Sequence, residues 1–258
     1  MKPSITIAIQ CHNFQKRLSL MLSSLVAQKK KSRYELIVDL AHYDPNGTPS
    51  NKEVISYFSE LGLKINSRMY NDYERFKYRG LTRNDQISSC NTDFILFADT
   101  DMVYSNRFFY RMIELVTTND EYRDYEGIMT CGRFSQDNTT IGDTNKFVNN
   151  LIKDKPAYVK KIWSFCDSQL VKVKRSNVGA GFFQLINMDK CNHGRLYVDE
   201  ENCKDYDWEG KGQKAKSDQQ FKRKIGIKKK LPKWYSQSQI HLNHFRDNEV
   251  GYHIEEQR

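Results

Sequence analysis

The chain has no apolar stretch approaching the roughly 20 residues that cross a bilayer. It also has no internal repeat and no heptad run. Residues 1–9 run straight into a strand pattern, with an apolar part too short for a secretory leader and no small-residue cleavage site behind it. The cysteines at 11, 90, 131, 166, 191 and 203 are widely scattered, and none forms a Cys-x-x-Cys pair. That argues against both a zinc knuckle and a disulfide framework, and the expectation is reduced thiols in a cytoplasmic compartment. Asn138-Thr139-Thr140 matches a glycosylation sequon, which carries no meaning without secretion. Glycine is missing from Gln10-Cys11-His12-Asn13-Phe14-Gln15, directly behind the first strand. A phosphate-cradling, glycine-rich first loop is thereby excluded.

What is present is a globular composition. The chain has 258 residues, 38% hydrophobic and 28% charged. That length buries a full core without disulfides or metals. The net charge of +9 points to anionic partners. Basic residues gather at Lys29-Lys30-Lys31, Lys222-Arg223-Lys224 and Lys228-Lys229-Lys230, the last followed by Leu231-Pro232-Lys233-Trp234-Tyr235. Each cluster reads either as a solvated face or as a contact. Basic residues beside aromatics suit a peripheral membrane contact over residues 222–233.

Hydrophobic periodicity predicts strands at residues 5–10, 34–40, 63–69 and 94–98, alternating with helices at 17–28, 51–61 and 80–90. Such alternation predicts an α/β fold with a mostly parallel sheet. Beyond residue 101 the pattern loosens. A helix is expected at 107–117, strands at 127–132 and 181–187, a short helix at 217–225 and a last strand at 239–245. The polar segment 209–214, rich in glycine and lysine, reads as a mobile loop. No linker is evident, so the expectation is one domain over 1–258, with a nucleotide-binding half (1–105) and an acceptor-binding half (106–258).

The most informative residues follow the apolar run Phe94-Ile95-Leu96-Phe97-Ala98, which ends in Asp99-Thr100-Asp101. Open α/β sheets bind ligands at the carboxyl ends of their strands. Two carboxylates so close repel one another, and a hard divalent cation carrying a phosphate offsets that repulsion. A solvated acidic turn is the bland alternative.

Four segments together resemble the GT-A glycosyltransferases, most closely the family 2 type. They are Ile5-Thr6-Ile7-Ala8-Ile9-Gln10-Cys11-His12-Asn13, Arg79-Gly80-Leu81-Thr82-Arg83-Asn84, Asp93 through Asp101, and Gly179-Ala180-Gly181-Phe182-Phe183-Gln184-Leu185-Ile186. The resemblance implies a nucleotide-diphosphate sugar donor, UDP-linked, and Mn2+ or Mg2+ bridging its diphosphate. It implies Asp101 as the direct metal ligand, with Asp99 on the ribose or a metal-bound water. His244 would complete the coordination. His241 is its rival, and at a spacing of three a strand points at most one of them at the metal. Arg83 would grip the diphosphate, and Asp39, ending the second strand, would read the uracil edge. The sequence departs from the family there, with Asp39-Leu40-Ala41-His42 where paired acids and a small polar residue are usual.

The resemblance also implies Asp218, behind the N-cap Ser217, as the base that takes the acceptor hydroxyl's proton in an inverting displacement. Only one acid stands there, where the family often has two. Asp205, Asp207 and Glu209 are alternative bases, and Trp208 would stack on a sugar face. Gly181, within Gly179-Ala180-Gly181, permits close backbone approach to the donor sugar or simply strand packing. The expected acceptor is a glycan or lipid-linked saccharide. A nucleotidyltransferase would use similar parts but wants glycine behind its first strand. A nucleic-acid-binding module would not place acids where they repel phosphate.

Overall fold

The computed structural model describes residues 1–12, 14–43, 51–129, 134–136, 141–153, 155–167, 170–171, 183–191, 221, 224–225, 228–230 and 239–242. In chain order the elements begin with β1 (Ser4–Cys11), α1 (Gln15–Val26), β2 (Glu35–Tyr43), α2 (Asn51–Glu60) and β3 (Lys64–Tyr70). They continue with α3 (Tyr73–Lys77), α4 (Arg79–Ser88), β4 (Phe94–Ala98), β5 (Met102–Tyr104), α5 (Phe108–Thr118) and α6 (Asp120–Arg123). After these come β6 (Gly127–Met129), β7 (Phe134–Gln136), α7 (Ile141–Leu151), α8 (Ile162–Asp167), β8 (Leu170–Val171), β9 (Phe183–Asn187), β10 (Lys228–Lys230) and β11 (Gln239–His241).

Among the described residues, seven strands form the central sheet in the order β10-β6-β9-β4-β1-β2-β3. Within it β9 runs against β4 and β6, and every other pairing is parallel. The interior strands β1 and β4 lack polar alternation because both their faces are covered. Ile5, Ile7, Ile9, Leu96 and Ala98 pack toward α1, α2 and α5. Ala8, Ile95 and Phe97 face the opposite layer, with Leu81 of α4, Ile186, Phe221 and Ile225. The β1–β4 register is pinned at its amino end, where the backbone N–H of Ser4 and its hydroxyl donate to Asp93 Oδ2 at 2.6 and 2.7 Å.

A second sheet, β5-β11-β7-β8, starts immediately after the acidic tripeptide. It rests on a satellite core in which Val103 and Ile240 meet Leu20 of α1, Val148 of α7 and Ile162 of α8. Sequence periodicity missed α3, β5, α7 and α8, all short or built from mixed polar and apolar residues. The expected helix at 217–225 falls mostly outside the described residues. Lys228–Lys230, expected as part of a basic contact, form the edge strand β10 beside β6. Lysine at a sheet edge also discourages pairing with other chains. Among the described residues no helix is long and apolar enough to cross a membrane.

The turn from α1 to β2 carries the other basic cluster. Lys30 Nζ sits 4.3 Å from the ring centre of Tyr110. Burial pushes the neighbouring Lys31 ammonium down to about 8. Its unfolded value is higher, so between these two values the unfolded chain holds more protons, and the buried charge destabilises the fold below that window. Lys31→Met is therefore expected to raise the melting temperature at pH 7 by about 2 °C, on the order of 0.5–1 kcal/mol once solvent screening is allowed for. Scanning calorimetry should show that gain shrinking as the pH rises from about 8 to about 10.5.

Candidate active site

The tripeptide is the corner between the two sheets. Asp99 is the first residue past β4, and β5 begins directly after Asp101. β11 pairs antiparallel with β5, setting His241 opposite Met102. The Leu242 N–H donates to the Asp101 carbonyl at 2.9 Å and closes the corner. This brings His241 Nε2 to 2.9 Å from Asp101 Oδ2. Both residues are nearly inaccessible, Asp101 at 3% and His241 at 7% exposure. Residues from opposite ends of the chain thus converge because two short strands pair, a contact local sequence cannot encode.

The donor set suits a divalent cation. Ligand atoms about 2.1 Å from one ion at a right angle lie roughly 3 Å apart, close to the Asp101–His241 separation. Carboxylate oxygen with imidazole nitrogen favours Mn2+ over Mg2+. Among the described residues no cluster of three or more His, Cys, Asp or Glu side chains surrounds a common point. Asp99, the remaining acid of the corner, is engaged elsewhere: the Arg79 guanidinium pairs with its Oδ1. That pair is partly open to solvent, with side-chain exposures of 25% for Arg79 and 29% for Asp99.

Arg79 opens α4, and α4 is anchored by a buried glutamine. Gln86 Nε2 donates to the carbonyls of Ile9 at 3.2 Å and Asp39 at 3.0 Å, tying the helix to β1 and β2. Arg83, expected on the diphosphate, lies buried one helical turn further in. Its guanidinium carbon stands 4.9 Å from the Phe97 ring centre, and Nη1 donates to Gln184 Oε1 on β9 at 3.3 Å. The arginine at the acidic corner is Arg79. Its signal in the sequence was only its place at the start of the Gly80-containing helix.

Asp39 needs a correction of place. β2 runs on to Tyr43, so Asp39 is interior to the strand rather than at its end. Its Oδ2 lies 3.4 Å from Arg68 Nη2 on β3. Burial raises its pKa, and the Arg68 charge opposes that rise. At the carboxyl ends of β1 and β2 stand aromatic rings instead, which sequence reading did not assemble. Ring centres of His12 lie 5.6 Å from Tyr43 and 5.5 Å from Tyr73, and Tyr43 lies 4.9 Å from Tyr73. Phe76 of α3 closes the group, stacked on Tyr43 at 5.8 Å, and its carbonyl accepts from Gln10 Nε2. Gly181, Trp208, Asp218, His244 and the alternative bases Asp205, Asp207 and Glu209 lie outside the described residues.

No protein-family model and no curated protein matches the sequence. Solved structures do match. The glycosyltransferase GlyE of Streptococcus pneumoniae TIGR4 aligns at 12% identity and TM-score 0.50, over 99% of this chain and 59% of its own. Galactosyltransferase LgtC, solved with donor and acceptor sugar analogues, aligns at 12% identity and TM-score 0.48, over 88% of this chain and 73% of its own. S. aureus TarS 1-349 in complex with UDP-GlcNAc aligns at 15% identity and TM-score 0.41, over 52% of this chain and 36% of its own. The chain therefore spans little more than a third of the TarS fragment and under two thirds of GlyE. At these identities the likeness speaks to architecture: the chain has a GT-A-like glycosyltransferase fold.

Proposed function

We propose that this chain is a metal-dependent glycosyltransferase. It moves a sugar from a nucleotide-diphosphate donor, UDP-linked, to a hydroxyl of a glycan or lipid-linked saccharide. The observation that carries the reading is the meeting of Asp101 and His241 beside Asp99, at the carboxyl end of the parallel strands of a GT-A-like sheet. The UDP assignment rests on the sequence resemblance of the opening strand and the acidic tripeptide. His241 is the ligand favoured here, because it stands against Asp101.

When bound, Mn2+ or Mg2+ supplies charge to neutralise the departing diphosphate. Asp101 and His241 hold that ion, and the turn after β4 sets Asp99 toward the ribose or a coordinated water. The aromatic group of His12, Tyr43 and Tyr73 offers ring faces to the base, in place of the buried Asp39 carboxylate. Asp218 takes the acceptor hydroxyl's proton as the bond to the donor sugar inverts. Trp208 packs on a sugar face, and Gly181 admits the donor close to the backbone.

Thermal stability measured against a panel of nucleotide diphosphates, with and without Mn2+, tests this reading. Binding to the native state raises the melting temperature by mass action. A shift with UDP that requires Mn2+ supports the donor site. No shift with any nucleotide in the presence of metal removes it, and a non-catalytic protein becomes the better account.

The setting that this reading implies is cytoplasmic and membrane-peripheral, with the basic segment 222–233 against anionic lipid. Changing Lys228, Lys229 and Lys230 together to glutamine should weaken sedimentation with phosphatidylserine vesicles about tenfold or more. Unchanged binding would leave these lysines as edge-strand residues alone.

A further inference from the structure

The ion pair between Arg79 and Asp99 has no counterpart in the role proposed for Asp99. A carboxylate that serves a ribose or a metal-bound water needs its oxygens turned to those groups, yet one of them faces a guanidinium. The pair is partly exposed, at the mouth of the site, whereas Asp101 and His241 lie beneath it. Arg79 is held there by α4, whose Gln86 is locked onto two strands. Asp99 and Asp101 are two residues apart, so a cation beside Asp99 relieves their repulsion when no metal does. A guanidinium is also the side chain best matched to phosphate oxygens.

We infer that Arg79 is an exchangeable counter-ion: it occupies Asp99 in the free protein and transfers to the donor's diphosphate on binding. The inference rests on the donor-site reading above. Without donor, Arg79 competes with metal for the acidic corner, so metal alone binds weakly. A diphosphate draws Arg79 away, releases Asp99 and gains a charge-assisted contact. The residue is a positioning group that makes metal binding wait for the donor, and Arg83, buried against Phe97, cannot substitute for it without leaving its place.

Titration calorimetry with Mn2+ alone, and with UDP or UMP in EDTA, tests the inference in the wild type, Arg79→Gln and Arg79→Lys. Electron paramagnetic resonance of free Mn2+ provides a second readout. Arg79→Gln should bind Mn2+ alone about five- to tenfold more tightly, and bind UDP alone roughly 10- to 100-fold more weakly, with a smaller loss for UMP. Arg79→Lys keeps the charge and should fall between in both, which separates exchange from a misfolded variant. In an Asp99→Asn background the gain in Mn2+ affinity from Arg79→Gln should disappear. If Arg79→Gln leaves both affinities unchanged while the wild type binds both ligands, the pair is only structural and the inference is overturned. If the wild type binds neither Mn2+ nor UDP, the donor-site reading itself fails and takes this inference with it.

Discussion

Asp101→Asn is expected to abolish the Mn2+-dependent stabilisation by UDP while leaving the unliganded melting temperature within a few degrees of wild type. The amide has the shape of the carboxylate, and its oxygen still accepts from His241 Nε2, so the corner between the sheets keeps its hydrogen bond. What it loses is the negative charge that binds a hard cation. A ligand at about a hundred times its dissociation constant contributes about 2.7 kcal/mol. For a chain of this size that corresponds to a shift of roughly 5–10 °C in the wild type, and none in the variant. Transfer from a UDP-sugar should fall by about a thousandfold or more, because several kcal/mol of leaving-group neutralisation goes with the ion. His241→Gln should reduce the same shift without removing it, since one carboxylate ligand stays. A wild-type-sized, Mn2+-dependent shift in Asp101→Asn would remove the metal role of this corner, and His241 would become a structural partner only.

The contrast between Asp101 and Asp39 shows what the chain's own pattern discloses. β4 was readable because five apolar residues in a row, bounded by polar ones, can only be a strand covered on both faces. Its end was readable for the same reason, and with it the position of Asp99 and Asp101. The end of β2 was not. Leu40, Ala41 and His42 are all buried, and the strand continues to Tyr43 because β3 pairs alongside as far as Tyr70. That pairing is a tertiary fact, and it moves Asp39 from a strand tip to a strand interior. His241 illustrates the opposite direction. Parity along a strand says that it and His244 cannot share a face, but only the β5–β11 ladder shows which elements bring His241 to Asp101. Arg79 and Arg83 are a helical turn apart and chemically identical. What separates them is the height of α4 over the sheet, fixed by Gln86 reaching two carbonyls, and no local signal reports that height.

The same helix layer carries the second large effect. Phe97 is fully buried two residues before Asp99. Its ring lies under the Arg83 guanidinium at 4.9 Å and meets Phe221 edge-on at 6.0 Å. Phe97→Ala removes the apolar contact of both neighbours and leaves a cavity beneath a buried cation, whose loss of the ring face adds to the transfer and cavity costs. A destabilisation of about 3–5 kcal/mol is expected, a fall of roughly 6–20 °C in melting temperature. Phe97→Leu, which keeps apolar volume but not the ring face, should lose less than half as much. Denaturant unfolding followed by circular dichroism separates the contributions: Arg83→Met should cost less in the Phe97→Leu background than in wild type if the ring–guanidinium contact contributes. Additive losses would leave Phe97 as volume alone, and Arg83 would then owe its place to Gln184 rather than to the ring.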